Sequence, residues 1–286
     1  MMQQMAMAFP ERKHIVCFSG GESSAIVGIE VVRAFGPENV VLLNHDIAAR
    51  VEDADIKRFK AEVAAYLGLP ITYANHMDAT LDQFDVCVRE QAFKVKNGEE
   101  ICTSRLKTRP FMKWLGENVP EKDCVIYYGF DANETHRIQR RTGILGSQGY
   151  VTDYPMIWGR RSLRAVSDVG IERPLTYSKY KHGNCKGCLK AGWQHWYIIY
   201  CEEPDIWNKG KWAEEEIGHA IHHDGNGPVY LEDMEPTFAA MRAAGVVPTE
   251  RVPHQRFWAD AKKAIKPGMI QVEMIEEPKP CECTGM

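Results

Sequence analysis

The chain has 286 residues, enough for one large α/β domain with an appendage or for two small domains. Its 44% apolar and 26% charged residues are those of a soluble globular protein, and a net charge of −4 argues against non-specific wrapping of duplex nucleic acid while leaving room for a local basic patch. No run approaches a membrane-spanning length, and Met1-Met2-Gln3-Gln4-Met5-Ala6 lacks the charged-then-apolar order of an export signal, so a cytoplasmic protein without membrane contact is expected.

In chain order, residues 14–18 read as a buried strand and residues 25–35 as the helix that follows. Between them stands Ser19-Gly20-Gly21-Glu22-Ser23-Ser24. Two consecutive glycines allow a tight bend that turns several N–H groups toward one anion, two serines add hydroxyls, and the helix N-terminus behind them is positive. A strand, such a turn and a helix suit a pyrophosphate; they also fit an ordinary βα turn with an N-capping serine. No lysine lies inside the loop, so it is not the Walker type.

Residues 39–44 read as a second strand closed by His45-Asp46, residues 53–67 as an amphipathic helix ended by Gly68, residues 71–74 as a third strand and residues 124–130 as a fourth. Alternating strands and helices predict a doubly wound, mostly parallel α/β sheet, whose ligands bind beyond the carboxyl ends of the strands. The serine–glycine loop, Asp46 and Asp131 all fall at that edge. From about residue 145 the pattern loosens. The expected division is a nucleotide-binding core over 1–145, a cysteine-containing region over 146–200, and a helical extension with a tail over 201–286. Within the last part, 203–223 and 236–244 read as helical, and His222-His223 as surface.

Nine cysteines, an odd number with no export signal, are poor material for a disulfide framework. Cys17 and Cys124 in strands and Cys87 in a helix read as core. Gly183-Asn184-Cys185-Lys186-Gly187-Cys188 is a knuckle whose two thiolates could hold a metal, an iron–sulfur cluster or a redox dithiol. Arg105, Lys107 and Arg109 lie just after Cys102, with Arg105 and Arg109 one helical turn apart; they fit a solvated helix face or a phosphate or sulfate partner.

Taken together, these segments resemble the ATP-pyrophosphatase (PP-loop) superfamily, in its branch containing phosphoadenosine phosphosulfate (PAPS) reductases. The carriers, in order, are Ser19–Ser24 with Ser23 at the usual aspartate, Cys102-Thr103-Ser104-Arg105-Leu106-Lys107-Thr108-Arg109-Pro110, and Gly129-Phe130-Asp131-Ala132-Asn133-Glu134 with Arg137 or Arg140. Tyr154-Pro155-Met156-Ile157-Trp158 and the knuckle complete the set, which covers about two-thirds of the chain. The resemblance implies nucleotide binding by Ser19, Gly20, Gly21, Glu22, Ser23, Ser24, Asp46 and Gly129, and anion binding by Arg105, Lys107, Arg109, Arg137 and Arg140. It implies a 4Fe–4S cluster on Cys102, Cys185 and Cys188, because Ile101 replaces the first of the family's paired cysteines; zinc on these three with His182 or His195 is the alternative. ATP with Mg²⁺ is the expected nucleotide. A sulfur donor or a reductant protein such as thioredoxin is compatible as partner, as is a nucleic-acid substrate. At the C-terminus, Glu282-Cys283 resembles the reductases' nucleophilic tail, interrupted by Thr284.

The expected activity is ATP-dependent adenylation of a substrate oxygen followed by sulfur transfer. The alternatives are reduction of PAPS or APS to sulfite with Cys283 as nucleophile, and a non-catalytic nucleotide-binding module with structural zinc. The double glycine, suited to a whole pyrophosphate, favours the first.

Overall fold

Five short parallel strands make one sheet: β1 (Lys13–Cys17), β2 (Val40–Asn44), β3 (Ile71–Tyr73), β4 (Cys124–Tyr127) and β5 (Val151–Asp153), in the spatial order β3-β2-β1-β4-β5. The computed structural model describes residues 12–75, 80–96, 98–159 and 161–268. β1 is central, with His14 beside Val40 on one flank and Val125 on the other. The chain leaves β1 toward β2 and later returns to β4 on the opposite flank. The loops after β1 and β4 therefore diverge and open a crevice at the carboxyl edge.

The helices are α1 (Glu22–Phe35), α2 (Ala54–Leu67), α3 (Gln83–Glu90), α4 (Ile101–Thr103), α5 (Arg109–Asn118), α6 (Thr135–Gly146), α7 (Trp193–Glu202), α8 (Pro204–Ile217), α9 (Leu231–Ala243) and α10 (His254–Ala264). Each strand reads as an unbroken apolar run yet divides its side chains between two faces. Val16, Phe18, Leu42, Val125 and Tyr127 pack with α1 and α2, while Ile15, Cys17, Leu43, Cys124 and Ile126 pack with Phe111 and Leu115 of α5 and Leu145 of α6. This is the doubly wound arrangement. Asp53 caps α2 by accepting from the Asp55 N–H at 2.9 Å, and Gly68 ends it in a left-handed conformation at φ +67°.

A third core is helical. Phe84 and Cys87 of α3, Ile101 of α4, Trp196 and Tyr197 of α7, Trp207 of α8, Phe238 of α9 and Trp258 of α10 pack together with Ala48 and Val51 of the segment after β2. It draws residues from both sides of the divisions expected at 145 and 200. Among the described residues, no helix is long and apolar enough to cross a membrane.

Several sequence expectations shift. α1 starts at Glu22 rather than Ala25, because Gly21 takes the extended N-cap conformation and Glu22 suits the positive first turn. β5 was not anticipated: it is a three-residue edge strand with Val151 exposed, so it carries no buried apolar run. Residues 203–223 are not one helical region. α8 stops at Ile217 and a hairpin follows, β6 (His222–Asp224) with β7 (Gly227–Val229). His222 is not a surface residue, since its ring lies 4.2 Å from that of Trp193 and burial lowers its pKa to about 3; His223 is exposed.

Candidate functional site

The Ser19–Ser24 segment sits at the divergence of the β1 and β4 loops. Gly20 has φ +85°, the left-handed region that favours glycine, whereas Gly21 at φ −92° is in a conformation open to any residue. The bend therefore depends on Gly20. A β-carbon there would lie 2.9 Å from Cδ of Lys60. The Ser24 hydroxyl donates to the Gly21 carbonyl at 2.8 Å and lies 3.2 Å from the Ser19 hydroxyl. Ser23 is exposed and Ser24 buried. From the other loop, Gly129 comes so near that its β-carbon would stand 2.9 Å from the Ser24 nitrogen and 3.0 Å from the Ser23 carbonyl carbon. Backbone thus comes close to backbone where β4 meets the first turn of α1, with Cβ of Ser23 beside it.

Glu22 does not turn into this crevice. Its carboxylate pairs with Arg173 Nε at 2.7 Å and accepts from the Val166 N–H at 3.5 Å, while its own N–H donates to the Tyr177 hydroxyl at 3.2 Å. Beneath the loop, Lys60 is almost wholly buried and donates to both oxygens of Glu52, at 2.9 and 3.0 Å. Lys57 bridges Asp46 at 3.1 Å and Glu52 at 3.3 Å. Asp46 is held at the end of β2 by a reciprocal pair: its N–H donates to Asn75 Oδ1 and its carbonyl accepts from Asn75 Nδ2, both at 2.7 Å.

Beyond β2, Cys102, Cys185 and Cys188 line one pocket. The remaining wall is Ile47, Val51, Leu81, Asp82, Gln83, Leu106, Lys107 and Leu189. The knuckle is fixed there from its backbone. The Lys186 N–H donates to the Val51 carbonyl at 2.8 Å, and Gln83 Nε2 donates to the Lys186 and Gly187 carbonyls at 2.7 and 3.1 Å. Gly187, at φ +67°, is pressed so closely that a β-carbon would lie 2.8 Å from Ile206. Asp82 is occupied by other partners: it accepts from Lys209 at 2.7 Å and from the N–H groups of Phe84 and Asp85.

This donor set, three thiols in an otherwise mostly apolar wall, fits a soft, sulfur-bound group better than a hard cation. Among the described residues, no three His, Cys, Asp or Glu side chains are grouped to hold a single ion. Cys17, Cys87 and Cys124 behave as core. Burial raises Cys17 and Cys87 to about 12 and Cys124 to about 11, which removes them from thiolate chemistry.

The helix carrying Cys102 contains a π turn, Ser104–Thr108, between α4 and α5. Such turns shift the phase of a helix and often mark functional sites. Arg105 is committed to Glu90 through a fork at 2.8 and 2.6 Å, and Arg109 is exposed. Of the three basic residues, Lys107 lines the pocket. His45, buried at the end of β2, hydrogen bonds to the Lys107 backbone; burial and the Lys107 charge lower its pKa to about 3.

After β4, the Asp131 N–H donates to Glu134 Oε2 at 3.1 Å, and Glu134 also holds buried Arg137, whose guanidinium lies 4.2 Å from the centre of the Phe130 ring. Arg140 lies exposed three residues on. Asp131 thus belongs to the turn that positions Arg137. His195 does not line the pocket; it is buried with Nδ1 3.3 Å from Glu250 Oε1. Cys281, Cys283 and the tail lie outside the described residues.

The sequence reading did not single out Lys60, Glu52, Gln83, Arg173 or Tyr177. Lys60 carried a signal, since it falls on the apolar stripe of α2 with Ile56, Phe59 and Val63. The others act through contacts distant in sequence. No family model, no curated protein and no solved structure matches the chain.

Proposed function

We propose that this protein is a PAPS reductase-like PP-loop enzyme that binds ATP and activates a substrate oxygen as an adenylate for sulfur transfer. The observation that carries the reading is the approach of Gly129 to Ser23 and Ser24 at the divergence of the β1 and β4 loops. A first helical turn whose N-cap, Gly21, offers no side chain, together with two serine hydroxyls and Gly129 opposite, makes a place for phosphate. Ser19, Gly20, Gly21, Ser23 and Ser24 bind the phosphates, and Arg137 supplies charge from the β4 side. Mg²⁺ would neutralise phosphate charge, and Asp46 at the end of β2 would offer it a carboxylate. The substrate oxygen attacks the α-phosphorus, the bond to the bridging oxygen breaks, and pyrophosphate leaves.

Sulfur delivery belongs to the cysteine pocket in this reading, the incoming sulfur displacing AMP from the activated carbon. Cys102, Cys185 and Cys188 would hold a 4Fe–4S cluster, which would supply the sulfur chemistry of that transfer. Gln83 and Val51 keep the knuckle in place, and Lys107 contributes positive charge at the wall. The test is ATP–pyrophosphate exchange with candidate acceptors, run on anaerobically purified protein assayed for iron, sulfide and zinc. Exchange with iron and sulfide present supports the proposal. Sulfite release from PAPS or APS without exchange would transfer it to the reductase, and zinc alone with no turnover to a nucleotide-binding module.

A further inference from the structure

The segment from Arg173 to Tyr177 lies across the mouth of the phosphate loop. The Tyr177 hydroxyl accepts the Glu22 N–H at 3.2 Å, at the first turn of α1. It would also stand 3.2 Å from a β-carbon on Gly21. Four residues earlier in the same segment, Arg173 Nε lies 2.7 Å from Glu22 Oε2. Both contacts thus end on Glu22, one on its backbone donor and one on its carboxylate. The segment is anchored away from the loop, where Leu175 N–H donates to Asp55 Oδ2 at 2.5 Å and Arg58 Nη2 donates to the Arg173 carbonyl at 3.4 Å.

We propose that this segment is a self-capping strap, in which the Tyr177 hydroxyl holds the place of a phosphate oxygen and Arg173 is stored on Glu22 until a polyphosphate arrives. The inference rests on the nucleotide reading given above. A helix N-terminus without an acceptor leaves buried donors unsatisfied, and a neutral hydroxyl satisfies one of them. A phosphate oxygen accepts from the same N–H in a charge-assisted bond, roughly twice as strong as a neutral one. Phosphate therefore displaces the hydroxyl rather than the reverse. The Arg173 side chain is 59% exposed, so its pairing with Glu22 is weak and exchanges readily for a phosphate, which it can grip with two donors. Binding then moves a cation from a carboxylate on the chain to a phosphate on the ligand. No covalent step is involved.

The two residues make opposite predictions, which separates a strap from a simple binding surface. Tyr177→Phe removes the internal competitor and leaves the Glu22 N–H without its acceptor in the ligand-free protein, so ATP and inorganic pyrophosphate bind tighter, by about threefold or more. Arg173→Gln loses the recruited cation and weakens both by about tenfold. Glu22→Gln releases Arg173 in advance and tightens both. Calorimetry on the full chain reads all three, with melting temperatures confirming that the variants fold. Unchanged or weaker binding in Tyr177→Phe, with the wild type binding normally, overturns the strap alone. A wild type that binds neither ATP nor pyrophosphate overturns the nucleotide reading, and the strap falls with it.

Discussion

Gly129 and Ser24 stand closer than any side chain at position 129 would permit: a β-carbon there would lie 2.9 Å from the Ser24 amide nitrogen, a backbone atom that cannot swing aside. Gly129→Ala therefore has to move β4 or the first turn of α1. We expect a stability loss of about 1–3 kcal/mol by denaturant titration and loss of ATP binding by calorimetry. Alanine at Gly21 is the contrasting control, because its φ of −92° is ordinary and its nearest neighbour is the Tyr177 hydroxyl at 3.2 Å. Equal ATP affinity in Gly129→Ala and wild type would remove the crevice from the site.

The pocket makes a second prediction. Cys102→Ala, Cys185→Ala and Cys188→Ala should each abolish the iron, sulfide and brown colour of anaerobically purified protein, whereas Cys124→Ala should leave them intact. The distinction follows from placement: three thiols line one pocket, while Cys124 lies in the sheet core with its thiol pushed to about 11. Colour surviving in any of the three single variants would take that cysteine out of the ligand set.

Lys60 and Glu52 form a buried ion pair under the phosphate loop. Removing one partner strands the other, so Glu52→Gln should cost about 3–5 kcal/mol of unfolding free energy. The double variant Glu52→Gln with Lys60→Met should recover most of that loss. A single variant as stable as wild type would mean that Lys57 and Asp46 already satisfy the network.

Glu214 supplies a pH prediction. Burial raises its carboxyl from 4.5 to about 7, against the opposing pull of the Ile221 and Leu231 N–H groups, which both donate to it at 2.8 Å. The folded state then binds the proton more tightly than the unfolded chain does. This contribution to stability is fully present below pH 4.5, declines as pH rises from 4.5 toward 7, and is level above. Because other groups titrate in the same range, the readout is the difference between wild type and Glu214→Gln. That difference should move in favour of the glutamine variant between pH 4.5 and 7. A difference independent of pH would place the carboxyl's folded value at its ordinary one.

The parallel sheet was legible because its strands are buried on both faces, which writes Ile15–Phe18 and Val40–Leu43 as unbroken apolar runs. β5 was not, since a three-residue edge strand with Val151 exposed has no such signature. The ends of the loops were likewise legible to within a turn: Ser19–Gly21, Asp46 and Gly129 do fall at one edge of the sheet. What joins them was not. Tyr177 meets Glu22 across 155 residues, and Gln83 meets the knuckle across more than 100, through hydrogen bonds that no local pattern announces. His222 shows the same limit. Adjacent histidines in a polar stretch suggest solvent, and only the return of the hairpin onto Trp193 buries one of them.

The seating of Gly187 ties the knuckle to something larger than a ligand. Its α-carbon is wedged among Ile206, Phe84 and Trp196, side chains from three helices of the helical core. Cys185 and Cys188, on either side, are therefore clocks for that core. Cys188 lines the pocket yet is buried, so loosening α3, α7 and α8 around Gly187 should quicken its alkylation by a maleimide, and the rate reports how often the helical layer breathes. The sheet needs none of these contacts and would keep its own time.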